Sequence, residues 1–316
     1  MKSLQVIRTH YSPYHGVQFE QNERDRLQNI QGVAVKSLED LDPTLPSVLI
    51  TNTHTRLKKL PPVLLKNTRL ILHSNSGYDH MNQEYKLWKE IPVIVGHDIR
   101  AQAVAEYTLS CLFQALIKLP QHLIWNKKRT WERPLIKDQN IWVYGYGHIG
   151  KIVVGALNGM GAKVTVVDPF VKELPKPTGK HSEARVILVC CSLNKTSKEM
   201  FNKKFFKTAH PDLIFINGAR GKLVKEEALR GFLLTHPNAQ VYLDVFESEP
   251  FDVSWYDFPQ VWKTSHIAGV FTGLDNGIIE FEEKTLSDFV SLTKRGFLKK
   301  YHLELLQNKR IQGELI

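Results

Sequence analysis

Residues 141–168 constrain the fold of this chain more than any other stretch. They consist of an apolar run, a glycine-rich turn, an apolar and small-residue stretch, and a second apolar run that ends in an acid. This order predicts a strand, a tight turn, a helix and a second strand. A strand, a glycine turn and a helix in this order are typical of the βαβ unit that binds dinucleotides.

The glycine turn has the G-x-G-x-x-G spacing, with Gly145, Gly147 and Gly150. These glycines allow the tight turn, the close approach of a pyrophosphate and the close packing of the helix, respectively. The helix that begins near His148 directs unpaired backbone N–H groups at the phosphates. Asp168 ends the second strand, where a carboxylate accepts hydrogen bonds from ribose hydroxyls and repels the extra phosphate of NADP. The segment therefore predicts an NAD site.

The length and composition are those of a globular protein with two domains. The chain has 316 residues, of which 42% are hydrophobic and 23% charged. It contains no apolar run of the roughly 20 residues needed to cross a bilayer, and its first residues lack the apolar core of a signal peptide. We therefore expect a cytoplasmic protein without a membrane partner. Cys111, Cys190 and Cys191 form neither a disulfide framework nor a metal cage, so we expect reduced, packed thiols and no metal.

The chain is basic, with a formal net charge of +10 and a pI near 9.3. A basic surface suggests nucleic-acid binding, but the lysines are dispersed and lack interleaved aromatics. We therefore expect solvated basic faces and no nucleic-acid partner, in a field that favours an anionic cofactor and an anionic substrate. Arg56 and Lys58 are candidates for a pocket that binds a phosphorylated substrate, although a solvated face is the favoured interpretation.

Short apolar runs alternate with polar or amphipathic stretches along the rest of the chain, which indicates an α/β fold with a second, smaller α/β unit. The pattern predicts one largely apolar helix over 98–119 that Pro120 stops, another over 225–234, and charged helical structure from about 277 that folds back on the first domain. The predicted strands are 5–8, 33–36, 48–51, 70–73, 92–95, 141–144, 164–167, 186–191, 213–217, 241–246 and 261–264.

Polar candidates follow these predicted strands at a common place, the carboxyl end. Ligands of open parallel sheets bind there, because successive loops converge beyond the strand ends. The candidates are Ser76, Gly77, the glycine turn, Asp168, Cys191, Arg220, Asp244 and His266.

Taken together, the motifs resemble those of the D-isomer-specific 2-hydroxyacid dehydrogenases over nearly the whole chain. The resemblance implies two Rossmann-like or flavodoxin-like domains, with an NAD-binding domain over 98–276 inserted into a substrate domain formed by 1–97 and 277–316. It also implies an active site in the cleft and a homodimer. Beside the glycine turn, the matching segments are 76–79, 104–106, 217–221, 244–246 with 249–250, and 265–269.

The family's reaction moves a hydride between nicotinamide and C2 of a 2-oxo acid while a proton moves to or from the oxygen. The resemblance makes His266 the proton donor or acceptor, and free imidazole has a suitable pKa of about 6.5. It assigns the carboxylate that orients His266 to Glu249, with Glu247 as the competing choice. Arg220 would clamp the substrate carboxylate and polarise the 2-oxo group, because its planar fork suits bidentate binding.

The remaining roles are also implied by the resemblance. The backbone amides of Ser76 and Gly77 would form the second clamp on the carboxylate, Asp244 would hold the nicotinamide carboxamide, and Cys191 would face the cofactor. For His148, a hydrogen bond to the pyrophosphate and solvent exposure are equally good interpretations. The full set of expected cofactor contacts is Gly145, Gly147, His148, Ile149, Gly150, Asp168, Cys191, Gly218, Ala219, Asp244 and Gly269.

Two features depart from the family pattern. The connection between Asp168 and the next predicted strand is short, as if a strand and a helix were omitted, which predicts a more open adenine pocket. Ser265 and Ser192 stand where the family generally has proline, so the backbone near the cleft is less restricted.

The sequence thus favours an NAD-dependent oxidoreductase acting on a small 2-oxo or D-2-hydroxy acid. An NAD(H)-responsive, corepressor-like binding protein is the alternative from a different class. A third hypothesis, formate oxidation, is disfavoured by a glutamate beside the histidine.

Overall fold

The computed structural model describes residues 4–311 and 314–315. The chain divides into two compact units, the first formed by Met1–Arg100 with Phe271–Ile316 and the second by Ala101–Val270. Each unit is built around a parallel β-sheet. The predicted α/β class with two Rossmann-like or flavodoxin-like domains is confirmed.

The first unit has a five-stranded parallel sheet in the order β2-β1-β3-β4-β5. Its strands are β1 (Leu4–Arg8), β2 (Val33–Lys36), β3 (Ser47–Thr51), β4 (Thr68–His73) and β5 (Val93–Val95). Its helices are α1 (Phe19–Gln28), α2 (Pro62–Asn67), α3 (Tyr85–Trp88), α8 (Leu274–Ser291) and α9 (Lys294–Lys300), and a short hairpin of β12 (Arg310–Ile311) and β13 (Glu314–Leu315) follows.

Helices α8 and α9 come from the end of the chain yet belong to the core of the first unit. Leu286 of α8 and Phe297 of α9 are buried in one cluster with Val6 of β1 and Leu27 of α1. A second cluster, which includes Ile7 and Trp88, covers the other face of the same sheet. The predicted return of the terminal helices to the first domain is thus present in the structure.

The second unit has a six-stranded parallel sheet in the order β11-β10-β9-β8-β6-β7. Helix α4 (His97–Leu116) leads into it from the first unit. Its strands are β6 (Asn140–Tyr144), β7 (Lys163–Val167), β8 (Val186–Val189), β9 (Ile214–Asn217), β10 (Gln240–Leu243) and β11 (Val261–Lys263), and its helices are α5 (His148–Gly159), α6 (Lys203–Phe206) and α7 (Glu226–Thr235).

Both strand orders contain a switch point, where successive strands depart in opposite directions across the sheet. In the first unit it lies between β1 and β3, and in the second unit between β6 and β8. The loops after these strands diverge and leave a crevice at the carboxyl edge, which is where ligands of open α/β sheets bind.

Strand β7 forms one edge of the second sheet. It pairs with β6, and no other described strand pairs with it. Between Asp168 and β8 the chain forms only one short 3-10 turn, His181–Glu183. The structure therefore has neither a strand nor an α-helix between Asp168 and β8, as the short connection predicted.

Most predicted strands agree with the structure within two residues, but two were predicted too long. The run 186–191 ends as a strand at Val189, and the run 241–246 ends at Leu243. In both places the chain stays largely buried after it leaves the sheet: Cys190 follows β8, and Asp244, Val245 and Phe246 follow β10. Helix α4 ends at Leu116, before the predicted stop at Pro120, and α8 begins at Leu274, slightly before the predicted start.

Candidate active site

The glycine turn after β6 is shaped by close backbone contacts. Gly145 has a φ of 100°, and a Cβ there would lie 2.6 Å from the Cα of Cys191. A Cβ at Gly150 would lie 2.1 Å from the Gly145 carbonyl oxygen. Gly145 thus makes the tight turn, and Gly150 lets α5 pack directly onto it.

Gly147 differs from these two glycines because a Cβ there would meet no protein atom within 4 Å. It precedes the first residue of α5, His148, and is exposed. Open space in front of a helix start is what a bound pyrophosphate needs, since the first N–H groups of the helix have no partner within the helix.

Asp168 lies directly after β7, beside this turn. Its Oδ2 accepts a hydrogen bond from the backbone N–H of Tyr146 at 2.8 Å, and its Oδ1 accepts one from Phe170 at 3.0 Å. The carboxylate is therefore fixed at the carboxyl edge near the glycine turn and retains lone pairs for ribose hydroxyls.

Asp244, the residue after β10, organises the loop that carries His266. Three consecutive N–H groups converge on it: His266 donates to its backbone carbonyl at 2.8 Å, while Ile267 and Ala268 donate to its two carboxylate oxygens at 2.7 and 2.8 Å. The side chain is completely buried. Asp244 thus shapes the loop, and its expected contact with the nicotinamide carboxamide stays a prediction.

His266 occupies a backbone conformation that is uncommon for a residue with a side chain. Its φ is 57°, in the left-handed region, where His is tolerated better than branched residues. Such a conformation costs of the order of 1 kcal/mol or more and persists only when its surroundings impose it. The hydrogen bonds from the N–H groups of His266 and Ile267 to Asp244 provide that constraint.

Two hydroxyl groups extend this network. Thr264 donates from Oγ1 to Asp244 Oδ1 at 2.6 Å, and the hydroxyl of Tyr107 lies 2.7 Å from the same Oγ1. Because the single Thr264 hydroxyl proton is used toward the carboxylate, Tyr107 is the donor to Thr264. Burial raises the pKa of Tyr107, which keeps the phenol protonated for this role.

The side chain of His266 contacts Glu249. The His266 Nδ1 and the Glu249 Oε2 are 2.9 Å apart, and both side chains are accessible, at 50% and 41% exposure. Partial burial tends to raise the pKa of Glu249, but the hydrogen bond and charge of His266, the N–H of Phe246 and the charge of Arg220 together lower it. Glu249 is therefore ionised and holds the proton of His266 on Nδ1.

Glu247, the competing candidate, has other partners. Its carboxylate accepts a hydrogen bond from the backbone N–H of Glu226 at 2.9 Å and lies 3.7 Å from the Lys225 ammonium. The carboxylate that contacts His266 is thus the one favoured from the sequence.

Two features of the surrounding turn fix the position of the Arg220 backbone. The buried Asn217 accepts from the N–H of Ala219 at 3.1 Å and donates to the carbonyl of Arg220 at 2.9 Å. A Cβ at Gly221 would lie 1.8 Å from the carbonyl oxygen of Phe246, so only glycine fits there. The turn therefore packs against the segment that leads to Glu249, whose pKa the Arg220 charge lowers.

The other expected cofactor contacts lie on the loops around this edge. Cys191 follows β8 and abuts Gly145, and burial raises the pKa of its thiol to about 12, so it remains protonated. Gly218 and Ala219 precede Arg220, Gly269 follows the loop held by Asp244, and Ile149 lies in the first turn of α5.

Ser76 and Gly77 belong to the first unit, after β4. The buried His73 donates from Nε2 to the Gly77 carbonyl at 2.9 Å, with Thr51 at 3.0 Å from its Nδ1. Burial lowers the pKa of His73 to about 3, so the ring is neutral. Among the described residues, neither the Ser76 nor the Gly77 backbone N–H has an acceptor, and both remain available to an anion.

A surface hollow in the second unit lies away from these loops. Its volume is about 690 Å³, and its lining includes Trp142, Lys180, His181 and Thr208. His181 precedes β8 and Thr208 precedes β9, so the hollow is at the amino ends of the strands. It therefore does not belong to the candidate site.

Among residues 4–311 and 314–315, no group of three or more His, Cys, Asp or Glu residues could hold a metal ion. No helix in these ranges is both long and apolar enough to span a bilayer.

A family model supplies the decisive comparison. Residues 109–268, about half of the chain, match the NAD binding domain of the D-isomer specific 2-hydroxyacid dehydrogenases. The chain belongs to this family. The matched residues include the glycine turn, Asp168, the Arg220 turn and the His266 loop, so the second unit carries the family's NAD binding domain.

Curated relatives extend the likeness to more of the chain. The glyoxylate reductase of Thermococcus gammatolerans is 25% identical over 70% of this chain and 73% of its own length. D-3-phosphoglycerate dehydrogenase of Bacillus subtilis is 27% identical over 64% of this chain, and erythronate-4-phosphate dehydrogenase of Saccharophagus degradans is 30% identical over 64%. The matches span 42% and 53% of the last two relatives.

Solved structures share the fold over nearly the whole chain. D-lactate dehydrogenase from Aquifex aeolicus, complexed with NAD and lactic acid, has a TM-score of 0.70 at 20% identity and covers 96% of this chain and 99% of its own. The NADPH-dependent glyoxylate/hydroxypyruvate reductase from Sinorhizobium meliloti has a TM-score of 0.69 at 19% identity, covering 92% and 94%. These likenesses show the fold.

The residues present fit NAD as the family's cofactor. The space in front of Gly147 and the start of α5 suits the pyrophosphate, and Asp168 lies beside the turn with an anionic charge that disfavours a second phosphate on the ribose. Sequence reasoning missed Thr264, Tyr107 and Asn217 as parts of the site. Asn217 lies within the recognised motif, whereas no sequence signal pairs Tyr107 with Thr264.

Proposed function

We propose that the protein is an NAD-dependent oxidoreductase that interconverts a small 2-oxo acid and the corresponding D-2-hydroxy acid. The observation that carries this proposal is the hydrogen-bonded pair of His266 and Glu249, which lies accessible on a loop of the NAD binding domain. A proton-transfer group and an NAD site are the two components that this reaction requires.

The proton moves through His266. When NADH is bound, it supplies the hydride to C2 of the 2-oxo acid. Glu249 accepts a hydrogen bond from Nδ1, which leaves Nε2 as the nitrogen that donates its proton to the carbonyl oxygen. The ionised carboxylate stabilises the imidazolium before the transfer and holds the ring orientation.

Arg220 has the second role. Its guanidinium binds the substrate carboxylate through parallel hydrogen bonds and stabilises the negative charge that develops on the carbonyl oxygen. The backbone N–H groups of Ser76 and Gly77 are proposed to bind substrate carboxylate oxygens, since neither N–H has an acceptor among the described residues. We assign cofactor binding to the second unit and most substrate recognition to the first.

The relatives are named for three acids, D-3-phosphoglycerate, glyoxylate and erythronate 4-phosphate. Because these acids differ in size and charge, the likeness supports a reaction class and not one substrate. A screen of NADH consumption with 2-oxo acids of graded size and charge tests the class. We expect turnover of at least one acid, and we expect Arg220→Lys to lower kcat/KM by about tenfold or more through loss of bidentate binding.

If NADH binds and no acid is turned over, the alternative of an NAD(H)-responsive binding protein replaces the enzyme. That protein would capture a partner in the presence of NADH without consuming it. Preference for NAD over NADP is tested by Asp168→Ala, which should reduce the ratio of kcat/KM for the two cofactors by about tenfold or more. An unchanged ratio would place ribose recognition elsewhere.

We also propose that the protein is a homodimer. The stretch between α4 and the 3-10 turn at Ile136–Asp138 exposes large apolar side chains, including Leu123, Ile124 and Trp125 at 92%, 85% and 75%. Exposed apolar clusters of this kind mark association surfaces. Light scattering should give twice the 36.3 kDa mass of the chain, and the double variant Leu123→Asp with Ile124→Asp should be a monomer. A monomeric wild type contradicts the proposal.

A further inference from the structure

The histidine that ends β4 takes no part in the proposed reaction, yet both of its ring nitrogens are used. His73 is fully buried, with Nδ1 3.0 Å from Thr51 Oγ1 and Nε2 2.9 Å from the Gly77 carbonyl oxygen. Thr51 and His73 are register partners at the ends of β3 and β4. The ring therefore joins the end of the sheet to the loop that carries the Ser76 and Gly77 N–H groups.

The direction of both hydrogen bonds follows from the chemistry of the partners. The Gly77 carbonyl can only accept, so Nε2 must carry a proton. Burial lowers the pKa of His73 to about 3, so the ring is neutral and has a single N–H. Nδ1 is then the acceptor, and the Thr51 hydroxyl is its donor. Thr51 thus selects the tautomer that donates to Gly77.

The beginning of the same loop is fixed by separate hydrogen bonds. Ser74 donates from its N–H to the Thr51 carbonyl at 3.3 Å, and its own carbonyl accepts from Arg100 Nη1 at 3.0 Å. These bonds hold Ser74, whereas the bond from His73 holds Gly77, three residues further along the chain. The loop is therefore fixed at both ends, and the Ser76 and Gly77 N–H groups lie between or beside the fixed points.

We propose that His73 is a positioning residue for substrate binding, which holds the Gly77 carbonyl so that the Ser76 and Gly77 N–H groups face the substrate carboxylate without rearrangement. This role rests on the proposed function, because the loop is assigned to that carboxylate. Donors that are already ordered bind an anion more tightly than donors that become ordered on binding. The substrate carboxylate keeps its charge during hydride transfer, so loss of positioning should weaken binding of the substrate and of the transition state equally.

Two substitutions at His73 separate positioning from packing. A Gln side chain can place an N–H near the position of Nε2, whereas Asn reaches only the position of Nδ1. His73→Asn should raise KM for the 2-oxo acid about tenfold, with kcat and the Kd of NADH within about twofold of the wild type. His73→Gln should restore KM to within about threefold of the wild type. General destabilisation would instead reduce the amount of active enzyme, and thus kcat, at unchanged KM.

A change at Thr51 tests the tautomer without altering the histidine, and it decides the question if the His73 variants do not fold. Thr51→Val keeps the shape of the side chain and removes the donor to Nδ1, so KM should rise about three- to tenfold. Thr68→Val is the matched control. Thr68 is buried at the start of β4, at the opposite end of the sheet from the loop, and its hydroxyl donates to the Leu64 carbonyl at 2.8 Å. The control loses a comparable hydrogen bond and should keep the KM of the wild type.

Three results would overturn the proposal: an unchanged KM in His73→Asn, an equal rise in His73→Asn and His73→Gln, or a KM in Thr51→Val no higher than in Thr68→Val. If the wild type reduces none of the 2-oxo acids, the proposed function fails, and oxamate, a stable analogue of a 2-oxo acid, tests the loop by itself. The Kd of oxamate for the NADH complex should be about tenfold higher in His73→Asn than in His73→Gln. Equal Kd values, or no binding of oxamate to the wild type, would overturn the positioning role.

Discussion

Each unit fixes the loops at its carboxyl edge with one buried polar side chain, but the two side chains differ in kind. In the second unit the carboxylate of Asp244 accepts from Thr264, Ile267 and Ala268. In the first unit the amide of Asn52 donates to one loop and accepts from another. A carboxylate can only accept, so it gathers the N–H groups of a single loop around one charge.

The difference explains what each edge can do. The Asp244 network holds one residue, His266, in a strained left-handed conformation and presents its ring to Glu249. The neutral amide of Asn52 joins the loops after β1 and β3 without adding a negative charge. The first arrangement positions a side chain for proton transfer, and the second fixes the spacing of two loops.

Replacing the acceptor of the second unit has the largest expected effect on stability. Asp244→Ala leaves Thr264 and the N–H groups of Ile267 and Ala268 without their acceptor, at a cost of about 2–4 kcal/mol in the free energy of unfolding. Urea unfolding of the variant measures this loss. Because the His266 loop loses its constraint, NADH-dependent turnover should also fall. A loss below about 1 kcal/mol would show that water replaces the carboxylate and that the network does not shape the loop.

The amide of Asn52 can be exchanged for a carboxylate of nearly the same shape. Asn52→Asp removes both N–H donors and places a carboxylate oxygen against the His10 carbonyl, which should cost about 1–3 kcal/mol in the free energy of unfolding. Urea unfolding of the variant and of the wild type measures this loss. A variant as stable as the wild type would mean that Asn52 does not set the spacing of the loops.

The first unit contains a buried cluster of charged residues, whereas the His266–Glu249 pair of the second unit is exposed. Arg8 contacts both Glu23 and Glu282, and all three side chains are buried. Burial raises the pKa of Glu282, and the hydrogen bond to Glu23 adds to this increase. The folded state therefore keeps a proton that the unfolded state loses above its pKa of about 4.3.

This proton predicts a pH dependence with a definite sign. As the pH rises from about 5 to 8, the contribution of Glu282 to stability should decline by roughly 1–2 kcal/mol. In this range the unfolded state has lost the Glu282 proton, whereas the folded state still binds it, so rising pH favours unfolding. Glu282→Gln stays neutral and should lack this part of the decline. Thermal or urea unfolding of both proteins across this range measures the difference. Parallel curves for the two proteins would show that Glu282 is ionised in the folded state.

The outer end of the Asp244 network has the smallest expected effect. Tyr107→Phe removes one hydrogen bond to Thr264 and should cost about 0.5–1.5 kcal/mol, with turnover reduced less than by Asp244→Ala. Urea unfolding and the pH profile of kcat provide the measurements. A loss as large as that of Asp244→Ala would mean that the network is organised around the phenol and not around the carboxylate.

The glycine-rich turns of the second unit could be predicted from the sequence for a physical reason. Gly145, Gly150 and Gly221 stand where a Cβ would collide with backbone, so the chain has few alternatives and the motif is readable. The partner of His266 was also predicted, because Glu249 lies in a recognisable segment.

Long-range side-chain pairs could not be predicted in the same way. Tyr107 and Thr264 are separated by most of the second unit, and His10 and His54 meet only because β1 and β3 are neighbours in the sheet. Apolar residues also occur beyond the strand ends, at Cys190 and Cys191 after β8 and at Val245 and Phe246 after β10, so the pattern could not indicate where the strands end and the site loops begin.

The proposed function depends on proton transfer by His266 during NADH-dependent reduction of a 2-oxo acid. Wild type and His266→Asn are compared for kcat, NADH affinity and the configuration of the product, with the exposed His122→Gln as the control. We expect a D-2-hydroxy acid from the wild type and from the control. We also expect kcat to fall about 10²–10⁴-fold in His266→Asn at unchanged NADH affinity. A nearly normal kcat in His266→Asn would show that another group transfers the proton.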